Sequence, residues 1–391
     1  MFSAQSLTDR FLDEMRQTTD PIADNAVLSA LDTGVMGEWK INQLLDQLIS
    51  NGTPEPAGLP EPLLRYFEET DILPPWADRK KIRAGEVFFE DAGFECVTVL
   101  FCKSLPECYA AYRGAEVLFR TGRLLEKGTN IEPLARRIVE TAQFLLNVMA
   151  PGGLTSDKGC GRITAQKVRL IHASIRHFLK QQGWDEAQYG QPINQEDMAG
   201  TLLAFGLETL EGLALLKIPV SESDQEAYLH AWNVVGSIMG IDDRLLAPDM
   251  PSARALWARI RERQFGPSEQ GQALTQSLID FIDYEIPHAL KGMPLFLMHQ
   301  MMDAEMLEWL AVPPVHNWLD RILTDALKVL FGIETKLEVN HPGFRKAVGL
   351  FSEKLLQNLV VTWNGEKNVA FEIPPSLKGN WPSLDPSGSN R

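Results

Sequence analysis

The sequence predicts an all-α fold. Apolar residues recur at helical spacing through most of the chain, helix-start residues precede several of those runs, and a two-residue period appears only near the end. Ser6 to Arg16 and Met36 to Ser50 carry amphipathic patterns, the second stopped by Asn51-Gly52. Gly58-Leu-Pro-Glu-Pro and Leu73-Pro-Pro-Trp-Ala-Asp interrupt the pattern as connectors, with Asp78 placed to cap the next helix. Arg79 to Lys103 is apolar with interruptions at Gly85 and Gly93, and Glu107 to Arg120 continues as helix. Ile131 to Met149 carries a clean stripe of Ile131, Leu134, Ile138, Ala142, Leu145 and Met149.

Pro151 to Gly161 is a glycine-rich loop. No strand precedes it and it lacks a Gly-Lys-Ser/Thr ending, so it is not a phosphate loop. A helix is predicted next, from Thr164 to Leu179. Asn194, with Asp197 three residues on, caps a helix running to Lys217, and Ser221 or Asp224 starts another through Met239. Further helices are predicted at Ser252–Arg263, Leu274–Tyr284 and Asn317–Leu330. Leu359-Val-Val-Thr-Trp and Asn368-Val-Ala-Phe-Glu-Ile flank Asn364-Gly365, a β-hairpin signal, and Pro374 to Arg391 reads as a loose tail.

The 391 residues carry a net charge of −15, which disfavours nucleic acid and anionic membrane surfaces, since both demand clustered Lys and Arg. No run of about 20 apolar residues is present, and the N-terminus shows no basic region ahead of an apolar run. The expectation is a cytoplasmic protein without a transmembrane segment. The four cysteines, Cys96, Cys102, Cys108 and Cys160, form no Cys-x-x-Cys pair, and reduced thiols fit that compartment.

His172 is the most informative residue. It shares a helix face with Val168, Ile171, Ile175 and Phe178. An imidazole in an apolar wall is either a core histidine bonded to a neighbour or a ligand for a metal or haem iron. On the preceding helix, Arg137, Glu140 and Thr141 occupy neighbouring positions of one face. They are either a solvated ion-pair face or a group able to hydrogen-bond a small oxygen ligand. The short loop lets the two helices pack antiparallel, with His172 opposing the Arg137/Thr141 turn across a gap that a flat cofactor would fill. Arg169 and Arg176, three before and four after His172, are either surface arginines or partners for haem propionates. His177 lies roughly 140° around the helix from His172 and is a poor iron ligand. A di-iron site is disfavoured, because Pro287 interrupts Glu285-Ile-Pro-His288 and Pro342 comes directly after Glu338-Val-Asn-His341.

Six stretches in order resemble a known family: Leu73-Pro-Pro-Trp-Ala-Asp, Phe101-Cys-Lys-Ser-Leu-Pro-Glu-Cys-Tyr-Ala, Glu140-Thr-Ala-Gln-Phe-Leu-Leu-Asn-Val-Met, Gln166-Lys-Val-Arg-Leu-Ile-His-Ala, Pro192-Ile-Asn-Gln-Glu-Asp and Ala231-Trp-Asn-Val-Val-Gly. They are similar to the latex-clearing-protein or rubber-oxygenase-like family, which also includes a fungal oxygenase of mycophenolate biosynthesis. The similarity spans residues 70 to 265, approximately.

The resemblance implies a globin-like helical core holding non-covalent haem b. It implies an oxygenase that splits carbon–carbon double bonds with dioxygen. Its Arg-x-x-His-Ala motif would make His172 the proximal iron ligand, and its Arg-x-x-x-Thr motif would put Arg137 and Thr141 in the distal pocket. Rubber-cleaving members carry a lysine just before that threonine, whereas this chain has Glu140. An upstream distal glutamate is also implied, with Glu116 and Glu126 both in range and the register open.

The resulting expectation divides the chain into four parts. These are an N-terminal helical extension (1–72), a haem-binding oxygenase-like domain (73–335), a C-terminal helix and β-hairpin (336–373) and a flexible tail (374–391). The expected function is a b-type haem-dependent oxygenase taking dioxygen and a small, intracellular, apolar unsaturated substrate, because polymer rubber does not enter a cell. The alternative is a haem-binding sensor or carrier without turnover.

Overall fold

The computed structural model describes residues 7–32, 59–121, 132–157, 159–315 and 348–355, apart from the side chains of residues 132–137 and 289. The described residues form helices joined by short loops, with one isolated β-bridge between Ala111 and Phe265. The predicted helices at Met36–Ser50 and Asn317–Leu330, the β-hairpin and the tail lie outside the described residues.

The N-terminal part comprises α1 (Asp9–Arg16), α2 (Pro21–Asp32) and α3 (Glu61–Thr70). The Thr8 hydroxyl caps α1 by accepting from the Phe11 amide at 3.2 Å. The α3 helix stands partly where a connector was expected. Pro60 sits at its N-cap and Pro62 in its first turn, where a missing N–H costs nothing, so the prolines start a helix rather than end one.

Asp78 caps α4 (Arg79–Val99) as predicted, accepting from the Lys80 and Lys81 amides. The helix then widens into a π-turn at Leu100–Ser104 before α5 (Leu105–Ala110). The wider turn lets Pro106 fall in the first turn of α5, where its ring and missing donor are tolerated. The chain breaks at Ala111 (ψ 80°) and resumes as α6 (Tyr112–Arg120), so the helix expected from Glu107 to Arg120 is two helices.

The centre of the molecule is built by α7 (Glu132–Val148), α8 (Cys160–Gln181), α10 (Gln195–Leu215) and α11 (Glu222–Ile238), with the short α9 (Glu186–Tyr189) between α8 and α10. Asn194 caps α10 through the Asp197 amide at 2.9 Å, and Ser221 rather than Asp224 caps α11. Then come α12 (Met250–Gln264), α13 (Glu269–Glu285), α14 (Met293–Met301) and α15 (Ala304–Trp309). The most extensive helix pair is α4 on α11. Gly85 permits it: a Cβ there would come within 2.8 Å of the Ala227 carbonyl oxygen.

One large apolar core joins α1, α4–α8 and α10–α15. A second cluster places Ala23, Val27, Leu63 and Phe67 of the N-terminal part against Leu170 and Ile171 of α8. The α10 helix is long and apolar enough to cross a membrane, but 78% of its apolar window is buried inside the protein.

Candidate functional site

The site grows from the corner between α7 and α8. Three glycines let the backbones touch. A Cβ on Gly153 would meet the Asn147 carbonyl oxygen at 2.5 Å, and one on Gly161 would meet it at 2.8 Å. A Cβ on Gly159 would run into the Gly153 carbonyl. A buried polar ladder then ties the helices: Gln143 Nε2 donates to Asn147 Oδ1 at 2.8 Å, and Asn147 Nδ2 donates to Thr164 Oγ1 at 3.0 Å. Each pairing offsets the desolvation of an amide or hydroxyl in the core.

Beyond this ladder the helices border a cavity of about 230 Å³. Thr141 of α7 and His172 of α8 both line it, so the structure brings these two predicted residues together. Most of the remaining wall is apolar. Phe144, Phe205 and Trp232 form a contiguous aromatic wall, with ring centroids 5.0 Å apart for Phe205–Trp232 and 6.2 Å for each pair involving Phe144. Such tilted and edge-on pairs are favourable aromatic geometry. Cys108 lines the cavity as a neutral thiol, because burial pushes its ionisation up to about 12. The polar groups on the wall that carried no sequence signal as site residues include Asp197, bonded to Arg16 at 2.9 Å, and Gln264, which donates to Glu196 at 2.9 Å. Asp197 reads locally as a helix-capping residue, which hides its second position on the wall.

The other candidates fall elsewhere. Glu140 is half-buried beside Thr141 and does not line the cavity. Arg137 lies on α7, one turn before Thr141, with its side chain outside the described residues. Arg169 and Arg176 are not among the residues that line the cavity. Arg169 donates to both Asp20 oxygens, at 2.5 and 2.7 Å, and to the Ile238 carbonyl at 3.0 Å. Arg176 donates to Asp24 at 2.7 Å and to the Ile193 carbonyl at 3.3 Å. The reason is electrostatic: a buried guanidinium demands a carboxylate, and the N-terminal part brings two. Glu116 also turns from the cavity, pairing with Arg120 at 2.6 Å and Gln270 at 3.1 Å, while Glu126 lies outside the described residues. Phe178, expected on the apolar face, is 47% exposed. Glu285 ends α13 and His288 begins the next short turn, so this spacing does not share one helix face.

Behind the cavity, the π-turn carries Lys103 into a buried triad with Glu107 (2.6 Å) and Glu208. Burial pushes the Glu107 carboxyl up to about 8; the Lys103 ammonium opposes that rise and the Glu208 charge adds to it.

The catalytic-domain family described as ER-bound oxygenase mpaB/B′/Rubber oxygenase matches residues 100–349. This chain belongs to that oxygenase family. The match begins after the first of the six resembling stretches and extends well past the last. Rubber oxygenase from Streptomyces sp. (strain K30) is 26% identical over 268 residues, covering 67% of this chain. That alignment spans 63% of the rubber oxygenase's own length. A solved structure of latex clearing protein in the closed state superposes with a TM-score of 0.67 at 21% identity, covering 87% of this chain and 91% of that one. The helical fold of that structure is therefore shared over 87% of this chain.

Proposed function

We propose that this protein is a b-type haem-dependent oxygenase that acts on a small apolar unsaturated substrate, cleaving a carbon–carbon double bond or carrying out a related oxygenation. The observation that carries it is the placement of the His172 imidazole and the Thr141 hydroxyl on one apolar cavity, in a member of an oxygenase family. The donor set fits the cofactor: an imidazole suits haem iron, and aliphatic and aromatic walls suit the macrocycle.

His172 would hold the iron. Thr141 would hydrogen-bond a small oxygen ligand, with Arg137 from the preceding turn proposed as the second donor. Glu140 adds a negative charge beside Thr141 where rubber-cleaving members carry a lysine, so a lysine does not close this site. Haem, when bound, supplies the activation of dioxygen. The apolar lining, with Phe144, Phe205 and Trp232 among its residues, suits an apolar unsaturated substrate. A cytoplasmic location is part of this proposal, and cell fractionation checks it.

The test is the absorption spectrum of protein expressed with haem supplied, ferric and then ferrous with carbon monoxide. A Soret band that shifts with carbon monoxide is expected, with loss of that signature in His172→Ala. Absence of any Soret band overturns the proposal. Oxygen uptake with a panel of short terpenoids and unsaturated lipids is expected for at least one compound. Haem binding without uptake across the panel would instead mark a sensor or carrier.

A further inference from the structure

One face of α8 is a row of buried polar side chains: Arg162, Gln166, Arg169 and Arg176. At 100° per residue these positions fall within about 80° of one another, and His172 lies about 40° beyond Arg176. The chain ahead of α4 engages every member of the row. Arg162 faces Asp71 at 3.2 Å. Gln166 donates to the Phe67 carbonyl and the Thr70 hydroxyl, both at 2.8 Å, and its own backbone carbonyl accepts from the Tyr66 hydroxyl at 2.9 Å. Arg169 forks onto Asp20, and Arg176 bonds Asp24.

The two acids hold the arginines that flank His172 along α8. Asp20 and Asp24 are one helical turn apart at the start of α2, and their arginine partners stand three residues before and four after His172. The Asp20 and Arg169 side chains are 3% and 7% exposed. Tyr66 lies beneath the Arg169 guanidinium, 6.0 Å from charge to ring centroid.

Ligand geometry makes this clamp matter. Rotating a helix by about 20° moves a side-chain atom 5–6 Å from the axis by about 2 Å, whereas metal–ligand distances tolerate about 0.2 Å. The corner glycines hold one end of α8, but rotation further along the helix is resisted by the ion pairs beside His172. We propose that Asp20 and Asp24 are positioning residues for His172, so that α2 is part of the haem site. This rests on the function proposed above. The arginines lie within the family-matched residues 100–349 and the acids lie upstream of them, so the family match does not assign the clamp.

The test uses the full chain loaded with haem and compares Asp20→Asn, Asp24→Asn, Asp24→Glu and His172→Ala. Asp9→Asn, which removes an exposed partner of Arg259 and Arg263, is the control. The readouts are the rate of haem transfer to excess apomyoglobin and the ferric electron paramagnetic resonance spectrum. Asp20→Asn and Asp24→Asn are expected to release haem about 10- to 100-fold faster and to alter the ferric signal. Asp24→Glu should restore most of both properties, and Asp9→Asn should match the wild type. If Asp20→Asn does not fold, Asp20→Leu with Arg169→Met removes the buried pair without stranding a charge and should show the same release. Wild-type release and spectra in the Asp20 and Asp24 variants, with haem ligation lost in His172→Ala, overturn the clamp and leave His172 as ligand. An unchanged signature in His172→Ala overturns both.

Discussion

Thr141 and His172 come from helices that cross at a glycine corner, yet both side chains reach the same apolar chamber. Both residues therefore border the same space.

Thr141→Val keeps the shape of the side chain and deletes its hydroxyl. The expected result is an unchanged Soret band with kcat for oxygen uptake lowered about 100-fold, while Thr141→Ser keeps most of the activity. Equal activity in the valine variant would remove Thr141 from the distal role.

Gly161→Ala tests the corner. Its methyl group would sit 2.8 Å from the Asn147 oxygen and 2.9 Å from Val148 Cα, both backbone atoms with little room to yield. A loss of about 1–3 kcal/mol is expected from overpacking, read as a lower urea midpoint. Gly183→Ala gives a contrasting cost, because nothing lies within 4 Å there and only its positive φ of 78° opposes the methyl.

The buried triad predicts a pH dependence. Glu107 ionises near 4.5 when unfolded and at about 8 when folded, because burial disfavours its charge. Between those values the folded chain holds a proton that the unfolded chain has released. This stabilising contribution is complete below pH 4.5, declines as pH rises, and is gone above about 8. Chemical denaturation from pH 5 to 8 should show the decline in wild type and a flatter profile in Glu107→Gln.

His230 predicts the opposite trend. Its Nε2 accepts from the Asp78 amide at 2.9 Å, so the bonded ring is neutral. Burial, and after it the nearby Lys81 charge, lowers its pKa below 6.5. The unfolded chain therefore takes up a proton first, and stability falls as pH drops from 6.5 toward the lowered folded value. Melting curves should show that fall in wild type and a smaller one in His230→Gln.

The pairing of His172 with the α7 face was legible because it needs only helical periodicity and a short loop. The caps at Asp78 and Asn194 were legible for the same local reason. The roles of Arg169 and Arg176 were not, because Asp20 and Asp24 lie about 150 positions away and nothing local names them. α2 itself escaped notice: Pro-Ile-Ala-Asp-Asn-Ala-Val-Leu-Ser-Ala-Leu-Asp presents small and apolar residues on several sides. Two prolines disguised α3 as a connector. Trp232 belongs to a resembling stretch and reads as a packing residue of its helix; its place in the aromatic wall needs α7 and α10 beside it.

At Gly153, Gly159 and Gly161 main chain rests on main chain, so the span between the two facing helices is set without help from side-chain bulk. Wall residues such as Phe144, Phe205 and Trp232 can then be enlarged or trimmed to reshape the cavity while the spacing of α7 and α8 is kept. Cavity shape and helix spacing are governed by different atoms, which makes this scaffold suited to diversification.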